Sequence, residues 1–241
     1  MSVFDLPPQN PVSTFIYGIH PDQCGDVFGS DTPSDAPVVL IIHGGYWRPQ
    51  YDRVHVRPFA HALGEVGLKV ISLEYRRIPG NPDAMVDDIK MALDTLVSKH
   101  VIIIGHSAGG HLALWAGLNV AKVKMVIALA PISSMQKSEE ENASNGAVGS
   151  FLGCSSKQRP DLDPFCFPKI TCKVVLVHGN TDLCVPVSMT RDYFLVLKEQ
   201  KVNVNFLELK DIGHFELINP HHEFFVTLVA LVKQMGTLPF Q

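Results

Sequence analysis

The chain has 241 residues, of which 46% are hydrophobic and 18% charged, and its formal net charge is −4. That apolar content can bury a sizeable core and excludes a disordered polypeptide. The acidic balance excludes a charge-driven surface for nucleic acid or an anionic membrane.

Residues 13–19 (STFIYGI) and a short stretch near Asp26–Phe28 read as early strands, separated by the turn-rich HPDQCG. Residues 37–43 (PVVLIIH) form a continuous β-branched apolar run, the pattern of a strand buried on both faces. Phe59, Ala62, Leu63 and Val66 mark a helix over 55–66 that ends near Gly67. A strand over 68–75 follows. Met85, Ile89, Leu93, Leu96 and Val97 then recur at helical spacing after the Pro82-Asp83 start signal. The alternation continues with strands at 101–104, 123–130, 172–179 and 202–209, and with helices at 111–118, 188–200 and 221–235. Such alternation predicts one α/β domain over 1–241, a mostly parallel central sheet with helices on both faces. Residues 131–171 interrupt it. They are polar, rich in Pro and Ser, and too long for an ordinary connection, so they read as a lid-like excursion over one end of the sheet. A loop without order of its own is the alternative.

The five cysteines, Cys24, Cys154, Cys166, Cys172 and Cys184, have no metal-site spacing and read as reduced thiols. The N-terminal MSVFDLPPQNPVS has neither a basic nor an apolar leader region, and no apolar run reaches membrane-spanning length. A cytoplasmic protein is expected, with no metal and no cofactor. Its expected partners are a small-molecule substrate and at most a second copy in a homodimer.

Gly105-His106-Ser107-Ala108-Gly109 is a G-x-S-x-G pattern fed by an apolar strand and followed by an Ala-rich helical stretch. That context is a nucleophile elbow: glycines two residues either side permit a sharp turn that presents Ser107 above a helix N-terminus. A serine needs a base, and the base needs an orienting carboxylate. Asp182 lies in a turn directly after the strand VVLVHG, and His214 follows the last strand in a Gly-flanked loop. Asp211 and Glu216 are nearer in sequence but do not follow the preceding strand as Asp182 does. Among rival bases, His106 and His111 stand too close to the elbow to swing over Ser107, and His221-His222 reads as a solvated helix start. His178 is the remaining histidine weighed.

The loop His43-Gly44-Gly45-Tyr46-Trp47 leaves the third strand, where donors to a developing oxyanion belong. Gly44 permits close backbone approach, and the N–H groups of Gly45, Tyr46 and Ala108 are the expected oxyanion-hole donors. Tyr46, Trp47 and His106 are candidate substrate contacts, with packing beneath the loop the alternative for Trp47.

Together HGGYW, GHSAGGH, the Asp182 turn and GHF resemble the kynurenine formamidase branch of the hormone-sensitive-lipase-like α/β hydrolases, whose signature is HGGxW. EYRRIPGNPDAMVDD (74–88) is similar to the YRxxP…D segment of that superfamily, and the likeness runs from Pro37 to the C-terminus. The resemblance implies an α/β-hydrolase fold and a cofactor-free serine hydrolase with a Ser-Asp-His triad, acting on an ester or an aryl formamide. A general small-acyl carboxylesterase is the alternative within that chemistry. A non-catalytic ligand-binding protein on the same scaffold is the alternative outside it, and such proteins usually lack a triad member.

Overall fold

The computed structural model describes residues 2–29, 37–166 and 170–236. The strands are β1 (Ser13–Ile16), β2 (Cys24–Phe28), β3 (Val38–Ile42), β4 (Lys69–Leu73), β5 (Val101–His106), β6 (Val123–Leu129), β7 (Lys173–Gly179) and β8 (Val204–Leu209). They form one sheet in the order β1-β2-β4-β3-β5-β6-β7-β8. The β1–β2 and β2–β4 pairings are antiparallel and the remaining five are parallel. The helices are α1 (Arg57–Glu65), α2 (Pro82–Thr95), α3 (Ala108–Asn119), α4 (Met135–Glu140), α5 (Ala147–Leu152), α6 (Val187–Glu199) and α7 (Phe224–Gly236). This is the expected α/β-hydrolase architecture.

The two-residue period of the strands sorts the core into two layers. In β3, Val38, Leu40 and Ile42 join a cluster with Ile89 and Leu93 of α2, Leu112 of α3 and Leu197 of α6. Val39 and Ile41 point the other way, to Phe59 and Leu63 of α1 and Leu228 of α7. Helices therefore cover both faces, as an all-apolar parallel strand requires.

Helix ends differ from the periodic pattern where side chains intervene. The helix expected from residue 55 begins as a 3-10 turn, Arg53–Val56, because Asp52 caps the Val54 N–H at 2.9 Å. α2 starts as expected, with Asn81 accepting from the Ala84 N–H ahead of Pro82. It stops at Thr95, and Leu96 turns extended, which leaves Val97 91% exposed instead of on the buried face. The last helix opens at Phe224 because His222 Nδ1 accepts the Phe224 N–H (3.2 Å), placing His221 and His222 in the preceding turn.

Residues 131–171 carry α4, α5 and three 3-10 turns, with 167–169 outside the described residues. Ser134 caps α4 at the Lys137 N–H (3.2 Å). Ile132, Met135, Val148, Phe151 and Leu162 are buried in the same cluster as α2 and α3. The segment is thus packed against the first core layer. Among the described residues no helix is long and apolar enough to cross a membrane.

Candidate active site

β5 ends at His106, and Ser107 then turns the chain into α3 with φ 57° and ψ −120°. A residue bearing a Cβ costs about 1–3 kcal/mol in such a region and persists only where its surroundings enforce it. Here the Ser107 N–H donates to Leu129 O at the end of β6 (2.8 Å). α3 also presses so closely on the sheet that a Cβ on Gly109 would lie 2.1 Å from the Ile42 carbonyl oxygen. The glycine two residues after the serine is a steric requirement of that approach.

Asp182 sits in the turn after β7 with its side chain fully buried. Its Oδ1 accepts from the N–H groups of Cys184 (2.7 Å) and Val185 (2.9 Å). Its Oδ2 takes His214 Nδ1–H at 2.6 Å and lies 3.2 Å from His178 Nε2. Burial alone would raise this carboxyl, but hydrogen bonds from His178 and His214 outweigh it and hold Asp182 well below the usual carboxylate range. The acid is therefore ionised, and it fixes the tautomer of His214. The loops bearing the pair are tied together by Thr181 N–H donating to Ile212 O (3.0 Å). Asp211 instead lies 3.8 Å from Lys210 in an exposed pair.

The rival histidines are occupied elsewhere. His111 donates from Nε2 to Leu162 O (2.6 Å), accepts from Trp47 Nε1–H at Nδ1 (3.3 Å), and is lowered to about 4 by burial. His178 is buried between Thr190, Val185 O and Asp182. His106 packs its ring 4.5 Å from that of His214 and donates from Nε2 to the His214 carbonyl (3.1 Å). Its Nδ1 is left buried without a partner, and burial together with neighbouring His214 keeps the ring neutral.

The loop after β3 comes directly alongside. A Cβ on Gly44 would meet His106 O at 2.8 Å and Ser107 Cβ at 3.0 Å. Gly45, Tyr46 and Trp47 follow with φ of +111°, +52° and +57°. Two successive non-glycine residues in the left-handed region form a tight coil of backbone, and no N–H of Gly45, Tyr46 or Ala108 has a hydrogen-bond partner among the described residues. The coil sends the two aromatics in opposite directions. Tyr46 stays at the cavity and donates its O–H to Cys184 O (3.1 Å). Trp47 turns inward, 2% exposed and stacked on Phe151 at 4.6 Å, so it packs beneath the loop and does not wall the cavity.

The cavity holds about 340 Å³ and is lined by Ser107, His214, His106, Gly45 and Tyr46, together with Phe4, Tyr51, His55, Cys184 and Phe215. Sequence reasoning missed those last five. Phe215 adjoins His214 and could have been noticed. Phe4 could not, because it arrives only through the anchoring of Val3 and Leu6 in the second core layer. None of the described residues of 131–171 is among the lining.

The pattern of the BD-FAE family matches residues 26–195, more than half of the chain. This chain belongs to the BD-FAE family of α/β hydrolases. The BD-FAE chain is 23% identical over 233 residues to a kynurenine formamidase of Danio rerio, covering 86% of this chain and 75% of the relative. It is 25% identical to a probable isoprenylcysteine alpha-carbonyl methylesterase, ICME, of Oryza sativa subsp. japonica, covering 84% of this chain and 57% of the relative. Among solved structures it superposes on the hormone-sensitive-lipase homologue EstE7 from a metagenome library with TM-score 0.78. That match has 19% identity and covers 98% of this chain and 90% of the other. These structural likenesses establish the fold.

Behind the glycine loop of this BD-FAE protein lies a buried charge network that the motif EYRR contributes. Glu74 accepts the N–H groups of Tyr75 (3.0 Å) and Arg53 (3.1 Å), pairs with the Arg77 guanidinium, and lies 3.0 Å from His43 Nε2. Tyr75 donates its hydroxyl to His43 O (2.9 Å) and stacks on the His43 ring. Burial, and secondarily the Arg77 cation, lower His43 to about 3, and the single N–H of its neutral ring serves either Gly44 O, 2.8 Å from Nδ1, or the Glu74 carboxylate at Nε2. Glu74→Gln strands the Arg77 cation beside this loop. Breaking such a buried pair costs roughly 3–5 kcal/mol. The expected result is a large fall in urea midpoint together with reduced kcat; an unchanged midpoint would contradict the network.

Proposed function

We propose that this BD-FAE protein is a serine hydrolase that cleaves a small carboxylic ester or an aryl formamide through an acyl-enzyme. One observation carries the reading: the 2.6 Å His214–Asp182 pair opens onto the same cavity as the strained Ser107. With its Nδ1–H held by an ionised Asp182, His214 keeps Nε2 free to take the Ser107 proton as Oγ attacks the carbonyl. The negative charge that forms on the carbonyl oxygen is met by the N–H of Ala108 on one side. The N–H groups of Gly45 and Tyr46 meet it on the other, where Gly44 allows the close approach. His214 then protonates the departing alcohol or aryl amine. Water, activated by the same base, releases the acid.

The relatives' names support both substrate classes, a formamide through the kynurenine formamidase and an ester through the methylesterase. The aromatic lining by Phe4, Tyr46, Tyr51 and Phe215 suits a flat aryl group, which either substrate class can carry. The deciding experiment compares kcat/KM for N-formylkynurenine and for short p-nitrophenyl esters on the purified protein. A formamide preference of several orders of magnitude assigns formamidase activity, and ester turnover alone assigns a carboxylesterase. Turnover of neither, with no labelling of Ser107 by a fluorophosphonate, would refute the hydrolase reading.

A further inference from the structure

Cys184 lies two residues after Asp182 and lines the catalytic cavity beside His214. Its sulfur, an Asp182 carboxylate oxygen and a His214 ring nitrogen all lie within 4.8 Å of one another, the one such set of three donors among the described residues. The Cys184 backbone is held from two sides, since its N–H donates to Asp182 Oδ1 (2.7 Å) and its carbonyl accepts the Tyr46 hydroxyl (3.1 Å). We infer that Cys184, Asp182 and His214 form an inhibitory site for a borderline-soft divalent cation such as Zn²⁺, entered through the catalytic cavity.

The donor chemistry selects the ion class. A mixed sulfur, nitrogen and oxygen set is what Zn²⁺ and Cd²⁺ accept, whereas Mg²⁺ and Ca²⁺ demand oxygen. Zinc bonds of about 2.0–2.3 Å set neighbouring donors of a tetrahedral centre on the order of 3.3–3.7 Å apart. With the metal on Nδ1 the His214–Asp182 contact, now 2.6 Å, opens by about 1 Å, and a fourth position is left for a water. His178 keeps Val185 O as a partner (2.9 Å) when Asp182 turns to the metal. Binding displaces the Cys184 thiol proton to solvent.

The inhibitory consequence holds whichever ring nitrogen binds. A metal on Nε2 occupies the lone pair that would take the Ser107 proton. A metal on Nδ1 removes the Asp182 hydrogen bond and sets a cation on the ring, lowering its basicity. The inhibition rests on the proposed hydrolase reading; the binding site does not.

The test titrates wild type, Cys184→Ala and Cys184→Ser with Cd²⁺ and Zn²⁺ in chelator-free buffer. Binding is read by the ultraviolet cadmium–thiolate charge-transfer band, and inhibition by ester turnover. Wild type is expected to show a saturable band and at least about tenfold inhibition by micromolar Zn²⁺, reversed by EDTA and absent with Mg²⁺. Both variants are expected to lose that band and to need at least about tenfold more Zn²⁺ for half-inhibition, judged against each variant's own metal-free rate. An equal band, or an unchanged half-inhibiting concentration, in a folded Cys184 variant would overturn the site. A Cys184-dependent band in a protein that turns over neither ester nor formamide would uphold the site and count against the hydrolase reading.

Discussion

Under the proposed mechanism Ser107→Ala is expected to lower turnover by on the order of 10⁵–10⁶, the loss that follows removal of an activated nucleophile whose base and orienting acid act as one unit. Substrate binding should persist, because Phe4, Tyr46, Tyr51 and Phe215 keep the cavity walls. Single-turnover measurement of ester cleavage, with fluorophosphonate labelling of wild type alongside, checks this; an active Ser107→Ala protein would remove the serine from the mechanism. A stability comparison separates geometry from chemistry. Alanine keeps the Cβ that makes φ 57° and ψ −120° unfavourable, whereas Ser107→Gly relieves it. Ser107→Gly should therefore be more stable than Ser107→Ala by about 1–3 kcal/mol, less roughly 0.5–1 kcal/mol for glycine's greater freedom in the unfolded chain. Both variants lose activity, so only the unfolding midpoints distinguish them.

Asp182→Asn is expected to cost roughly 10⁴ in kcat and, unlike the serine variant, also stability. The carboxylate serves four donors, with Cys184 and Val185 N–H groups on Oδ1 and the imidazoles of His214 and His178 about Oδ2. An amide supplies one acceptor oxygen. If its NH₂ faces His214, the imidazole must accept at Nδ1 and carry its proton on Nε2, the wrong tautomer for a base. If the NH₂ faces the turn, two backbone donors lose their partner. Either orientation leaves buried donors unsatisfied at about 1–3 kcal/mol each. Thermal unfolding and kcat measured on the same sample test both halves, and a near-native rate would move the orienting acid elsewhere.

The parts of this molecule that could be read from its sequence are those whose chemistry is written locally. An apolar β-branched run makes β3 legible, and glycines at fixed spacing about a serine make the elbow legible, because close backbone approach excludes any other residue there. The pairing of Asp182 with His214 was readable from their places after β7 and β8, since loops at that end of a parallel sheet converge. The cavity walls were not. Phe4, His55 and Cys184 meet through the fold's topology, from segments with no shared pattern. α4 and α5 have six residues each, too few for a 3.6-residue period to show. Trp47 was undecidable for a different reason. An aromatic after two glycines suits a cavity wall or a core equally, and the left-handed backbone at Tyr46 and Trp47 decides between them.

The stack of Trp47 on Phe151 has an optical consequence. The chain contains two tryptophans, and Trp115 sits half-buried in α3. The Trp47 indole joins the glycine loop to the 131–171 segment, stacked on Phe151 and donating its N–H to His111 Nδ1. Any displacement of that segment from the loop would wet the indole and shift its emission to the red. In a Trp115→Phe background the molecule thus carries its own fluorophore, seated at the joint between the segment it inserts and the backbone that faces Ser107.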